Sequence, residues 1–199
     1  MKIQSLIKVV AVASLAGCAS TPATSRNVSP DFSFSERSDL GLVVLSGRLS
    51  NDCKYGENPR ATLFIYSDFD KLHPVGKVPL DAASSFGASA PASGVRFATR
   101  ELRPGSYEIR EVAFEHVSLI RTHLDIPFRV EAGKAVYLGE IHASLLNCNG
   151  FPAYNLQISD AWERDRQFLQ DELKNVRPEE VAKAVVQCPE KVACTGPMP

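Results

Sequence analysis

Long apolar runs are missing from this chain of 199 residues. The most apolar stretch near its start, Val9-Val10-Ala11-Val12-Ala13-Ser14-Leu15, is far short of the roughly 20 residues that a bilayer-spanning helix needs. A bias toward one charge is also missing: 22 basic residues stand against 23 acidic ones, and the basic residues are dispersed rather than clustered. That excludes the electrostatic footprint of a nucleic-acid partner. No Gly-x-Ser-x-Gly occurs, which removes the turn that activates a serine in many hydrolases. The five cysteines contain no C-x-x-C spacing, which argues against a four-cysteine zinc site.

What is present at the start is an address. Lys2 and Lys8 precede the short apolar run, and Leu15-Ala16-Gly17-Cys18 closes it. A charged segment, an apolar segment and small residues before a cysteine make residues 1–17 a secretory signal and Cys18 the acceptor of a diacylglyceryl group, the pattern of a bacterial lipobox. Several acyl chains on one residue, at about 0.8 kcal/mol per buried CH₂, anchor a protein where a single myristoyl is marginal. Ala19 rather than Asp follows Cys18, so the expected location is the outer membrane, facing the periplasm. Residues 18–37, rich in Ser, Thr and Pro, read as a flexible tether. Loss of Lys2 and Lys8 with the signal leaves 20 basic residues against 23 acidic, a net charge of −3.

With Cys18 assigned to lipid, Cys53, Cys148, Cys188 and Cys194 form an even set in an oxidising compartment, which points to two disulfides. Three pairings are open. Cys188–Cys194, closing a short tail loop, with Cys53–Cys148, each beyond a predicted strand, is the favoured one.

Between tether and tail lies a series of short β patterns. They fall at 40–49, 61–66, 75–80, 95–102, 107–114, 126–130, 135–146 and 155–158, separated by turn signals. Pro79 marks an edge strand. Tyr107 and Ile109 occupy one phase and Val112 and Phe114 the other, which predicts a bulge near Arg110 or Glu111. Pro104-Gly105 carries the signature of a type II turn closing a hairpin, and Ala132-Gly133 repeats the turn. The fold expected over 38–160 is a mainly β, antiparallel sandwich. Residues 161–199 form a helical extension and disulfide-clipped tail. There, Asp160-Ala161-Trp162-Glu163 has capping-box spacing, and Trp162, Leu169 and Leu173 recur at helical intervals with Phe168 and Val176 beside them. A second short helix is expected from Pro178, with Glu179 and Glu180 complementing its dipole.

Three segments in order, Leu102-Arg103-Pro104-Gly105-Ser106-Tyr107, Phe128-Arg129-Val130-Glu131-Ala132-Gly133 and Val136-Tyr137-Leu138-Gly139-Glu140-Ile141, resemble the L-x-P-G-x-Y … F-x-V-x-A-G-x-x-x-Y-x-G run of prealbumin-like, carboxypeptidase-regulatory-like β-sandwiches. The likeness is greatest to bacterial lipoproteins of uncharacterised function that carry such a domain, and it spans residues 95–173. It implies a prealbumin-like sandwich that binds partners or serves as a structural appendage, with no catalytic residues to carry over.

Other chemistry is thinly supported. The serines at 84–93 lie in an Ala/Ser/Gly-rich loop that cannot preorganise a nucleophile. His116 and His123 flank a polar stretch and are the weak candidates for a metal or pH-sensing site, against which stands the reading of two exposed loop histidines. Asp68-Phe69-Asp70 lacks the further oxygen ligands of a calcium loop and reads as an exposed turn. Glu163-Arg164-Asp165-Arg166 reads as a solvated helix face with local ion pairs, although Arg164 or Arg166 could lie back on the sandwich. Trp162 reads as a plug between helix and sheet. The function these features favour is a membrane-anchored module that binds or scaffolds an envelope protein, without catalysis or cofactor. The alternative is a small-ligand or metal-binding lipoprotein using His116, His123 and the loop Asn147-Cys148-Asn149-Gly150.

Overall fold

A computed structural model describes residues 27–51, 60–80, 94–115, 119–145 and 154–187. Cys18, Cys53, Cys148, Cys188, Cys194 and His116 lie outside the described residues, as does the loop 147–150. The elements in chain order are β1 (Gly41–Asn51), β2 (Arg60–Ser67), β3 (Gly76–Pro79), β4 (Val95–Leu102), β5 (Gly105–Glu115), β6 (Leu119–Val130), β7 (Ala135–Leu145), β8 (Tyr154–Ser159), α1 (Trp162–Glu172) and β9 (Val181–Lys183). They build two sheets. One has the order β4-β1-β7-β8 with β9 also on β7, and the other is β3-β2-β5-β6.

The sheets face each other across a single apolar cluster. Val43, Leu45, Ala98, Leu138 and Ile141 from the first meet Leu63, Ile65, Ile109, Phe114 and Ile126 from the second. In β2 the residues alternate, with Ala61, Leu63 and Ile65 inward, because only one face of that sheet is buried. In β1 Leu42, Val43, Val44 and Leu45 are all fully buried. That unbroken run has a cause: the outward residues Leu42 and Val44 sit under a second cluster made by α1, Phe32, Tyr137, Leu173 and Val176.

The sandwich is mixed rather than purely antiparallel. β1 runs antiparallel to β4 but parallel to β7, and β9 is parallel to β7. The Pro-Gly expectation also needs correction. Gly105 begins β5 without a positive φ, and Pro104-Gly105 carries the chain from one sheet to the other instead of closing a hairpin. Gly133 does adopt a left-handed φ of 67°, and its N–H donates to the Leu40 carbonyl at 2.8 Å, but it too joins strands of different sheets. The Tyr107 hydroxyl donates back to the Arg103 carbonyl at 2.6 Å while its ring stacks on Phe128 at 5.7 Å, which is the geometry of a tyrosine corner. The bulge falls where the phase change placed it. Ile109 pairs with Ile65 and Ile126, Glu111 with Phe64 and His123, and Arg110 stands opposite neither neighbour. β3, with Pro79, is an edge strand as expected.

β7 changes partner midway. Its first residues pair with β9 and its last with β8, and the switch occurs at Gly139, whose φ of 105° admits no ordinary side chain. The residue pairs Val44↔Tyr137 and Ser46↔Glu140 show the extra residue that β7 inserts there. The helix expected at Pro178 is a single 3₁₀ turn, Pro178–Glu180, that runs directly into β9. From Asn27 onward the stretch expected as tether belongs to the body: Phe32 is buried in the second cluster, and the Asn27 side chain bonds to β4.

Candidate functional site

Among the described residues, two surfaces carry chemistry. The first lies on the outer face of the β1-β7 pair, where α1 ends its cover. Along β1 the outward positions change from Leu42 and Val44 to Ser46, Arg48 and Ser50, and along β7 from Ala135 and Tyr137 to Glu140, His142 and Ser144. Asp165, three residues after Trp162 and four before Leu169, sits on the inward stripe of α1 and is fully buried. Its Oδ2 accepts from the Ser46 hydroxyl at 2.5 Å and the Tyr137 hydroxyl at 2.6 Å. Its Oδ1 accepts from Arg164 Nε and Nη2 at 2.8 and 2.6 Å. Arg164 also reaches Glu140 at 2.5 Å and Ser46 at 2.9 Å.

The charges explain the protonation states. Burial works against the Arg164 charge, but the hydrogen bonds to Asp165 and Glu140 outweigh it and lift its pKa above the ordinary guanidinium value. Burial, then the hydrogen bond and charge of Asp165, push the Tyr137 phenol well above the ordinary tyrosine value. Tyr137 therefore stays a donor at any physiological pH. The expected solvated face of α1 is thus half correct. Glu163 and Arg166 form an exposed pair at 2.9 Å, whereas Arg164 lies back on the sandwich and Asp165 is buried. The expected capping box does not form: the N-cap is Ala161, one residue after Asp160, so Asp160 accepts only from the Trp162 amide at 3.0 Å and Glu163 turns to Arg166.

The network continues outward through His142. Arg48 Nη2 lies 3.1 Å from His142 Nδ1, and a guanidinium can only donate, so Nδ1 accepts. The neutral ring then carries its proton on Nε2, which donates to Ser50 Oγ at 3.0 Å, and Ser50 donates to Ser144 at 2.8 Å. A base that removes a serine proton needs the opposite tautomer. This His-Ser contact is accordingly a structural relay that ties β1 to β7, and Asp165 with Arg164 clamps α1 onto the same pair of strands.

The second surface is the outer face of β3-β2-β5-β6. Phe64 lies between two cations, Lys77 Nζ and the Arg121 guanidinium, each 5.5 Å from the ring centre. Tyr66 carries the Arg110 guanidinium 4.5 Å above its ring and donates its hydroxyl to Glu111 at 3.0 Å. Burial, followed by that hydrogen bond, raises the Tyr66 pKa. Arg110 is positioned by the bulge, which turns it from the strand to pair with Glu108 and to donate to the Lys71 carbonyl. Arg121 pairs with Glu111 at 2.8 Å. Phe64, half-buried between Lys77 and Arg121, and Tyr66, buried beneath Arg110, give this face the residue types that concentrate binding energy at protein interfaces. No helix packs on it among the described residues.

No family model, curated protein or solved structure matches this chain.

Of the weak metal candidates, His123 lies on the edge strand β6, exposed, with Nε2 3.0 Å from Asp125. No group of three potential metal ligands occurs among the described residues. His73 is an exposed partner of Asp70 at 3.1 Å, and Asp68-Phe69-Asp70 is an exposed turn as expected. Trp162 packs 5.0 Å from the Tyr137 ring between helix and sheet, also as expected. Sequence reasoning missed the Asp165 cluster and the Phe64-Tyr66 face. The signals were the apolar-to-polar change along one face of both β1 and β7, and aromatic residues at the outward phase of β2.

Proposed function

We propose that this chain is a lipoprotein anchored through Cys18 in the outer membrane, facing the periplasm, whose sandwich holds a protein partner of the cell envelope and performs no catalysis. The observation that carries the binding role is the outer face of β3-β2-β5-β6, which no helix covers among the described residues, with half-buried Phe64 between Lys77 and Arg121 and Tyr66 held beneath Arg110. The other sheet has the first half of its β1-β7 outer face covered by α1, so the two faces are not equivalent. A face with rings held by cations keeps few rotamers to lose on binding, which favours affinity per contact. The prealbumin-like kinship of the sandwich belongs to this reading. It is supported by the Leu102–Tyr107 corner and two facing sheets, and it must accommodate the parallel β1-β7 pair.

The test is a photo-crosslinking amino acid placed at Phe64 and, as control, at exposed Glu172, in intact cells. A specific envelope protein captured from position 64 but not from 172, and lost on Arg121→Glu, is the expected result. Equal capture from both positions, or none from a folded and membrane-bound protein, would refute it.

A further inference from the structure

Two large apolar side chains of the described residues stand in solvent: Phe69, 94% exposed, and Leu72, 83% exposed. Both belong to the β2-β3 connection, 68–75, and that loop is braced. Asp70 Oδ1 accepts from the Leu72 and His73 amides at 2.9 and 3.0 Å, and the Asp68 amide donates to the Ser106 carbonyl at 3.1 Å. Those two amide bonds also hold the Asp70 carboxyl below its ordinary pKa. The backbone therefore presents Phe69 and Leu72 outward as a fixed pair, at the cost of hydrating both.

The position of the pair identifies what would cover it. Phe69, Asp70 and His73 form one wall of a cavity of about 850 Å³, and Asn27 and Val28 form part of the same lining. Asn27 is held there, its Oδ1 accepting from the Thr99 amide at 3.1 Å and Arg100 Nη1 at 2.9 Å. Arg100 is itself buried and also grips the Lys77 carbonyl on β3, at 2.6 and 3.0 Å, so the start of the described chain is fastened at this end of the sandwich. Nine residue steps separate Asn27 from Cys18, which reach at most about 30 Å at ~3.6 Å per residue. A lipid on Cys18 keeps Asn27 within that distance of the bilayer, and Phe69 lines the same cavity as Asn27. Asp68, Asp70 and Lys71 give the loop a slight negative balance, so apolar insertion rather than attraction to anionic lipid is the driving interaction.

We propose that the β2-β3 loop is a membrane-docking element whose Phe69 and Leu72 enter the interfacial layer of the bilayer that carries the Cys18 lipid. This rests on the lipoprotein reading. It orients the sandwich with the loop end down.

The test uses the full lipidated chain with Phe69→Trp, reconstituted in vesicles of zwitterionic phospholipid containing brominated acyl chains. Trp162, covered by the sheet, is the internal reference. Mass measurement of the mature amino terminus reports acylation of Cys18 separately. The expected result is acylation with fluorescence quenching at least twice that of the native chain, unchanged between low and high salt. In parallel, the Cys18→Ser chain carrying Phe69→Trp should partition onto the same vesicles, and adding Leu72→Ser should weaken partitioning about tenfold. Acylation without extra quenching overturns the docking loop and leaves the anchor standing. Failure of acylation overturns the anchor, and docking is then decided by the Cys18→Ser chain: vesicle partitioning sensitive to Leu72→Ser supports it, and its absence overturns it. A photo-crosslinker at Leu72 that captures an envelope protein while quenching is absent would make the loop a protein contact and also overturn it.

Discussion

Asp165→Asn is the substitution that most directly tests the clamp between α1 and the sheet. The carboxylate receives two guanidinium donors on Oδ1 and two hydroxyl donors on Oδ2. An amide at this position has one acceptor oxygen and one NH₂. Placed toward Arg164, the NH₂ faces a group that cannot accept; placed toward Ser46 and Tyr137, it forces both hydroxyls to turn and leaves the buried Tyr137 proton without its acceptor. Losing one member of a buried ion pair costs about 3–5 kcal/mol. The Arg164 side chain is a third exposed and keeps Glu140, which places the expected loss near the lower end, about 3 kcal/mol. Against a total of about 5–15 kcal/mol for a domain, that is a large fraction. Urea unfolding of the Cys18→Ser chain without its signal, followed by Trp162 fluorescence, reads the change directly, because Trp162 and Asp165 share the buried face of α1. Arg166→Gln, which breaks only the exposed pair with Glu163, serves as control and should stay within about 0.5 kcal/mol of the parent. A loss below about 1 kcal/mol for Asp165→Asn would refute the clamp.

Two further outcomes follow from the same geometry. The folded pKa of Tyr137 lies above that of the unfolded phenol, so the folded chain holds the proton more tightly. Its contribution is complete below about pH 10 and is lost as pH rises above it, so Tyr137→Phe should flatten the alkaline limb of a stability-pH curve while costing about 1 kcal/mol at neutral pH. Gly139→Ala places a Cβ 2.9 Å from the Ser159 carbonyl at a φ of 105°, and should cost at least about 2 kcal/mol. Thermal melting measures that loss, and a variant as stable as the parent would mean that the β9-to-β8 exchange does not depend on the positive φ.

Much of the sandwich was legible because local pattern and burial agree. Alternation in 61–66 matches a strand with one wet face, the unbroken run 42–45 matches a strand covered on both, and the phase change between Ile109 and Val112 located the bulge at Arg110. What failed was everything decided by distant partners. A Pro-Gly pair reports that the chain turns, but whether β4 and β5 then pair depends on β1 and β2, which claim them for different sheets. The parallel β1-β7 contact joins segments some 90 residues apart and leaves no local trace. At Pro178 the dipole signals were genuine, yet the chain gains more by pairing Val181 with Ala135 than by extending a turn that buries none of its three residues.

The hidden clamp shows how a charge pattern misleads when only its sign sequence is read. Glu163-Arg164-Asp165-Arg166 alternates in the way an exposed helix face does, and for Glu163 and Arg166 that is what it is. Helical spacing alone places Asp165 on the stripe of Trp162 and Leu169, where a carboxylate survives only if donors meet it. The donors come from positions 46 and 137, remote in sequence, and from Arg164 lying back on the outer face of the β1-β7 pair. Ser46 follows Leu42 and Val44 in the outward phase of β1, and Glu140 joins it because β7 inserts a residue at Gly139, which returns Glu140 to the outward phase after Tyr137. Gly139 is therefore the element that aims the clamp. By fixing α1 over the β1-β7 pair, the clamp makes the outer faces of the two sheets different: among the described residues one carries a helix and the other does not.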